Sequence, residues 1–483
     1  MMKHIPIWLL GLTATLLVVL IPVAAFWPRG SAAGAPPQAF LPQHPVHTDH
    51  STIITGPFET ASDVTRACLE CHPDAASEVQ HTSHWKWQSE PVNVPWRDEP
   101  VTIGKFNQLN NFCISTAGNE SKCMTCHIGY NWDQYPPKGY DFSVQENVDC
   151  LVCHADKNAY AKGGYGNPAN GIDLLAAAKS VGVPTRDNCG GCHFDGGGGN
   201  GVKHGDLDES LYHPNEQLDV HMGKYDFLCT DCHRTENHQV KGRLLGDNYT
   251  IDPAEQVQCS DCHVTPPHND ERLNAHLDSV ACQTCHIPAT ALKDPTKTFW
   301  DWSKSGDESR PQDHYTYLKI KGEFIWERDT QPSYLWFNGN NAYRYIIGDP
   351  VNPDGVTHIN LPAGSIDDPT AKIFPFKVMH TIQSYDPING YLLTPITAGE
   401  GGYWHDFDWD KAFRLAEERL GLAYSGQYDW TETDMYYPQS HMVAPAANAL
   451  QCNDCHGPDT RLDWQALGYP GDPLDWGGRS ENK

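Results

Sequence analysis

Hydrophobic and polar positions along this 483-residue chain form short patterns rather than long periodic ones. Helix signals cover residues 172–181, 275–285 and 410–422, the last with apolar residues at helical spacing. Residues 317–326 alternate and predict a strand. Residues 5–27 hold no ionisable side chain, a run long for a signal-peptide core and long enough to span a bilayer, though Pro22 interrupts it. Ala32, Ala33 and Ala35 offer small residues for cleavage, while Pro36 spoils one such site. A cleaved leader over residues 1–27 and a retained membrane anchor both remain open, and both imply export. Residues 28–57 are rich in Pro, Ala, His and Thr and read as a flexible tether, with His44, His47 and His50 solvated rather than ligating.

Forty-one Gly and 36 Pro agree with many loops and few long elements. Thirty-four Lys and Arg against 61 Asp and Glu leave a formal charge of −27, which repels a nucleic acid or an anionic membrane surface. With 39% hydrophobic and 20% charged residues the chain is no disordered polyelectrolyte.

The cysteines decide the class. Sixteen of 17 fall into Cys-x-x-Cys-His, which occurs eight times where this composition predicts roughly 0.03 by chance. The pairs are Cys68/Cys71, Cys123/Cys126, Cys150/Cys153, Cys189/Cys192, Cys229/Cys232, Cys259/Cys262, Cys282/Cys285 and Cys452/Cys455. They are followed by His72, His127, His154, His193, His233, His263, His286 and His456. Two thiols three positions apart can each add to a vinyl group of one haem, and the next residue then meets the iron, so the signature reads as eight covalent c-type haems. Structural zinc needs four ligands from two half-sites and has no use for a fixed trailing histidine. A disulfide scaffold explains the spacing but not eight histidines in one place.

First cysteines are separated by 55, 27, 39, 40, 30 and 23 residues before a gap of 170. So little chain per haem cannot build a side-chain core around each, and the porphyrins must supply much of the apolar interior. The expected fold is mainly α with extensive irregular loops, a multihaem cytochrome c fold organised around packed haems. Residues 58–290 would form a seven-haem region, and residues 291–483 an aromatic-rich region carrying the eighth. Trp300, Trp302, Trp326, Trp336, Trp404 and Trp430 there are expected to shield haem edges.

Each iron needs a ligand opposite its motif histidine. Outside the motifs, His4 and the tether, thirteen histidines remain. The candidates close to motifs are His81, His84, His204, His221, His238, His268, His276 and His441, each with a surface or haem-propionate role as the alternative. Bis-histidine iron is coordinatively full and suits electron transfer, whereas catalysis requires a position that substrate can take.

Seven clustered motifs with one near the carboxyl end resemble the octahaem tetrathionate reductase family of periplasmic cytochromes. The segments GGGGNGVKHGDLD (residues 196–208), QSYDPINGYLLTP (383–395) and RLDWQALGYPGDP (461–473) carry the likeness, which covers everything after the tether. It implies an active site at the second haem, held by Cys123, Cys126 and His127, where a lysine amine replaces the distal imidazole. The matching residue is Lys203, and the free cysteine that the family places beside that haem matches Cys113.

Without the resemblance, Lys203 reads as a solvated lysine and Cys113 as a small buried hydrophobe or an intermolecular disulfide partner. As a ligand Lys203 must be a neutral amine, which pulls down its pKa, and the preceding glycines allow close backbone approach to a haem face. Asp206 and Asp208 either feed protons or cap a turn. The expected activity is two-electron reduction of tetrathionate to two thiosulfates, with nitrite or hydroxylamine as alternative substrates of the same iron. The absence of a CxxCK motif counts against the octahaem nitrite reductase branch. A non-catalytic electron conduit is the other reading. The expected partners are a small inorganic anion and a periplasmic or membrane electron donor. A charge of −27 then demands a local basic funnel, for which Lys162, Lys179, Lys203, Lys224, Lys241 and Arg243 are candidates.

Overall fold

A computed structural model describes residues 37–44, 46–86, 88–109, 114–116, 118–132, 140–196, 198–242 and 256–479. The leader or anchor at residues 1–27, Cys113 and Arg243 lie outside the described residues. Among the described residues no helix is long and apolar enough to cross a membrane.

The chain divides into two units. The smaller comprises Met1–Leu41 and Gln258–Asn269 and carries the sixth motif on a one-turn helix, Cys259–Asp261. His263 and His268 belong to it. The larger, Pro42–Val257 with Asp270–Lys483, carries the other seven motifs.

Most motifs of the larger unit sit on short helices, among them Ala61–Leu69, Leu151–His154, Arg186–His193, Cys229–Cys232, Cys282–His286 and Cys452–Cys455. The physical reason is geometric: residues i and i+3 share a helix face, so one turn presents both thiols to the same partner. Cys71 and Cys262 depart from this arrangement, because the helix that carries their first cysteine ends before them. Cys71 lies in a turn beyond Leu69 with its side chain exposed, and Cys262 lies just past Asp261 with a non-helical φ of −126°. Backbone hydrogen bonds keep the spacing there. The Cys71 amide donates to Cys68 O at 3.2 Å and the His72 amide to the same oxygen at 3.0 Å. The Cys262 and His263 amides donate to Cys259 O at 3.2 and 2.9 Å. A single hydrogen-bonded turn thus replaces the continuing helix in the first and sixth motifs.

Local capping starts the helical turns. Thr60 Oγ1 accepts the Asp63 amide at 3.3 Å while the Asp63 carboxylate accepts the Thr60 amide at 2.8 Å. The expected helices appear as Leu174–Lys179 and Trp409–Leu420. The third signal splits into Ala275–Asp278 and Cys282–His286, and a further turn, Glu271–Asn274, precedes it.

The multihaem fold stands, but a mainly α chain is not what the structure shows. After a hairpin of β1 (Thr235–Glu236) and β2 (Gln239–Val240), the carboxyl-terminal half is built on a sheet. Its strands are β3 (Thr296–Asp301), β4 (Tyr317–Leu318), β5 (Gly322–Glu327), β6 (Ser333–Phe337), β8 (Thr357–His358), β10 (Lys372–Asp386), β11 (Tyr391–Leu392) and β12 (Asp429–Pro438). A separate pair joins β7 (Asn341–Arg344) to β9 (Asn360–Pro362). The strand expected over 317–326 is two strands around a turn at Lys321. The spine is β10, antiparallel to β12 from Phe376↔Pro438 to Tyr385↔Asp429 and parallel to β3 through Thr381↔Trp300.

Short sequence windows hide this sheet because β10 reads as mixed polarity. Its strand period of two places Ile373, Lys377, Met379, Thr381 and Gln383 on the buried face and leaves His380 exposed. The buried face meets Trp300, Trp302, Phe324, Tyr345, Met435 and Tyr437 in the largest aromatic core. A bulge between Lys297 and Phe299 in β3 shifts the alternation, so that Lys297 and Trp300 are both buried.

Candidate functional site

Four motif imidazoles face a second imidazole across a gap. Ring centres lie 6.4 Å apart for His72 and His50, 6.2 Å for His193 and His84, 6.2 Å for His233 and His441, and 6.1 Å for His456 and His276. Metal–imidazole bonds run about 2.0–2.1 Å, so two imidazoles on opposite sides of one metal stand roughly 6 Å apart between ring centres. Each gap therefore fits one iron. His84, His276 and His441, expected as ligands, each face a motif imidazole. His50 is not the solvated tether residue expected: the chain from residue 46 onward returns to the first motif.

At several of these rings Nδ1 is tied down, which would direct Nε2 toward an iron held between the pair. The Nδ1 of His50 lies 2.8 Å from the Thr48 carbonyl, that of His276 2.8 Å from Arg272 O, and that of His233 2.8 Å from Lys241 O. His456 Nδ1 lies 2.6 Å from the Asp472 carboxylate. His154 Nδ1 lies 3.0 Å from Gly182 O, and His238, which acts electrostatically on His154, is held 2.7 Å from Glu78. His221 packs 5.7 Å from Phe227 and His204 5.4 Å from Tyr437. His81 Nδ1 likewise lies 2.7 Å from Ser77 O.

Cysteines of different motifs adjoin. Cys68 contacts Cys150, Cys126 contacts Cys192, and Cys189 contacts Cys229. The second centre thus borders the fourth, the fourth borders the fifth, and the first borders the third. Cys71 has no share in these junctions: it is exposed, on the solvent side of the first motif, while its partner Cys68 is half-buried against Cys150. In the sixth motif the order reverses, with Cys259 exposed and Cys262 half-buried. None of the sixteen motif cysteines forms a disulfide. Among the described residues no group of three or more His, Cys, Asp or Glu side chains is placed to hold a metal ion.

Lys203 lies beside the second motif, close enough for Cys123 and Cys126 to feel its charge. Burial, with Lys105 next, lowers its pKa to about 7, and Arg344 adds to the effect. The loop that brings it there requires glycine. Gly201 has φ +69°, and a Cβ on it would stand 2.4 Å from Pro295 O. Lys377 Nζ then grips the loop, donating to Val202 O at 3.0 Å and to Lys203 O at 2.8 Å. His127 sits in an aromatic box, its ring centre 4.1 Å from Trp132 and 5.3 Å from Trp85, with Nε2 2.9 Å from Trp85 O. Burial lowers its pKa to about 3, keeping the imidazole neutral.

Asp206, expected as a catalytic residue, has Oδ2 3.3 Å from His441 Nδ1. Asp208 caps a turn, accepting the Ser210 amide at 2.8 Å, and its pKa is raised to about 6 by burial. The basic funnel is also built otherwise. Lys162 is a buried strut, 3.1 Å from Asp149 and bonded to His127 O, and Lys224 pairs with Glu216 at 2.6 Å. The cations around Lys203 are Lys105 and Arg344, the latter 4% exposed on β7 with Nη2 3.4 Å from Leu109 O. Neither carries a local signal. Lys377 carries none either, and only the folded alternation of β10 puts it on the buried face.

Comparisons with known proteins agree with this arrangement. A family described as "Cytochrome c bacterial" matches residues 297–459, and one described as "Cytochrome c554 and c-prime" matches residues 67–155. The crystal structure of octaheme cytochrome c from Shewanella oneidensis is similar, with a TM-score of 0.81 and 44% identity, covering 89% of this chain and 98% of that one. An uncharacterised protein from Archaeoglobus fulgidus is 26% identical over 239 residues, 40% of this chain and 80% of that protein.

Proposed function

Because the chain belongs to the octahaem cytochrome c family and carries covalently bound c-type haems on its motifs, we propose that it is a periplasmic reductase of a small inorganic oxyanion, tetrathionate foremost. The observation that carries this reading is Lys203 beside Cys123 and Cys126, accompanied by Lys105 and Arg344. Bound haem supplies one-electron relays and, at the second motif, an iron able to exchange a ligand.

The chain's own residues set the chemistry around it. His84, His50, His276 and His441 would close four centres with imidazole and so reserve them for relay. A primary amine at Lys203 leaves one position open to exchange, since protonation of the amine removes its lone pair. Arg344 stays cationic at any working pH and, with Lys105, draws an anion toward Lys203 against the global charge. Two electrons delivered to tetrathionate break its central S–S bond and release two thiosulfate ions, with no proton consumed. Asp206 is thus freed from proton delivery, in keeping with its position on His441. Nitrite and hydroxylamine, both smaller, are the alternative substrates at the same position.

The test is reoxidation of a dye-reduced holoprotein by tetrathionate, nitrite and hydroxylamine side by side. Turnover of tetrathionate that is lost in Lys203→Ala, with haem content kept at eight, supports the reading. Eight low-spin bis-histidine spectra and no turnover would make the protein an electron conduit.

A further inference from the structure

Lys297, Lys321 and Lys377 lie behind the Lys203 loop; among the described residues no carboxylate pairs with Lys297 or Lys321, whereas the Asp206 carboxylate acts on Lys377. Lys297 is 2% exposed, with Nζ 3.6 Å from the ring centre of Phe324, 3.9 Å from Trp300 and 5.1 Å from Trp326. Lys377 is 5% exposed, and its Nζ reaches only two carbonyls and, at 5.6 Å, the Tyr437 ring. Lys321, in the β4–β5 turn, has its Nζ 5.9 Å from the Trp404 ring. Lys321 and Lys377 both act on Lys297, whose pKa burial already holds well below that of an ordinary lysine.

The same aromatic core carries indole donors without acceptors. The Nε1 atoms of Trp302, Trp326 and Trp404 are buried and make no hydrogen bond. Lysine ammoniums and indole N–H groups are all donors, so Lys297, Lys321 and these indoles gather positive ends with no carboxylate among them, while Asp206 serves Lys377. Buried cations of like sign persist when something offsets the lost hydration, and ring faces do this only in part.

We propose that Lys297, Lys321 and the indoles of Trp302, Trp326 and Trp404 form a holding site for a small inorganic oxyanion, distinct from the Lys203 position and connected to it through Lys377. This rests on the oxyanion-reducing reading above and deepens it. The anion supplies the missing acceptors and counter-charge. Lys377, bonded to the carbonyls of Val202 and Lys203, links the holding site to the loop that carries the amine.

The experiment soaks crystals of the native holoprotein with selenate and maps the selenium by anomalous scattering. The expected result is a peak within hydrogen-bond reach of Lys297 or Lys321 Nζ that disappears in Lys297→Met and weakens in Lys321→Met. No peak there, or a peak that survives both substitutions, overturns the proposal. A midpoint-potential shift in these variants without a selenate peak also overturns it, and assigns the donors to haem carboxylates instead. In steady state, Lys321→Met raises KM for tetrathionate and nitrite several-fold more than for uncharged hydroxylamine, and equal effects on all three count against it. If the native protein reduces none of the three, the reductase reading fails while the selenate arm still decides the site.

Discussion

The Asp206 carboxylate holds the ring of His441: its Oδ2 lies 3.3 Å from Nδ1 and also accepts the amides of Ser440 at 2.6 Å and His441 at 2.9 Å. Asp206 is three residues from Lys203, so one short loop carries both the exchangeable amine and the orienting group of a neighbouring centre. A carboxylate on the far nitrogen of a ligating imidazole makes it a stronger donor and favours the oxidised metal. Asp206→Asn is therefore expected to raise the potential of the centre between His233 and His441. The rise should be on the order of 60 mV, one tenfold step for a one-electron couple. Spectroelectrochemical titration checks this, and an unchanged set of potentials refutes the role.

Lys203 itself gives a pH prediction. Its pKa is lowered to about 7 by burial and then by Lys105, and iron coordination competes with the proton and moves the midpoint lower still. Above that midpoint the amine is free to ligate; below it the ammonium cannot. The lysine-ligated signature in electron paramagnetic resonance spectra should thus be lost as pH falls and return as it rises. A signature constant from about pH 5 to about pH 9 and unaltered in Lys203→Ala would remove Lys203 from the site.

His50→Ala tests the fold of the tether. With the rings of His50 and His72 6.4 Å apart, the substitution should convert one low-spin centre to a high-spin one while haem content stays at eight. Unchanged visible and magnetic circular dichroism spectra would return His50 to the solvent.

Glu417 predicts a stability change remote from the motifs. It is fully buried, Oε1 accepts the Thr394 amide at 3.3 Å, Oε2 has no hydrogen bond, and burial raises its pKa to about 7. An acid whose folded pKa exceeds its unfolded value binds more protons when folded, so stability falls as pH rises from about 4.5 to about 7. The cost above that window is roughly 3 kcal/mol. Glu417→Gln should raise the Tm by a few degrees at about pH 8 and leave it little changed at about pH 4.5. An equal shift at both pH values would indicate packing rather than ionisation.

What the chain discloses unaided is its covalent chemistry. Eight CxxCH motifs name the cofactor, because thioether attachment needs two thiols one turn of backbone apart and an adjacent imidazole, all within five residues. Even Cys71 and Cys262, which lie past the ends of their helices, keep that turn through hydrogen bonds to the first cysteine of their own motif. Anything decided by long-range contact stays hidden. His84 meets His193, His441 meets His233 and His276 meets His456 across separations that no local pattern encodes, and His50 reads as solvent-facing until the chain turns back. The sheet escapes for a related reason. Lys297 and Lys377 look like surface residues in sequence, since a buried ammonium is costly and rare. Only the bulge in β3 and the alternation of β10 turn them inward. Local bonding is written in local sequence, whereas the burial of a charge depends on everything packed around it, and that is settled only when the chain folds.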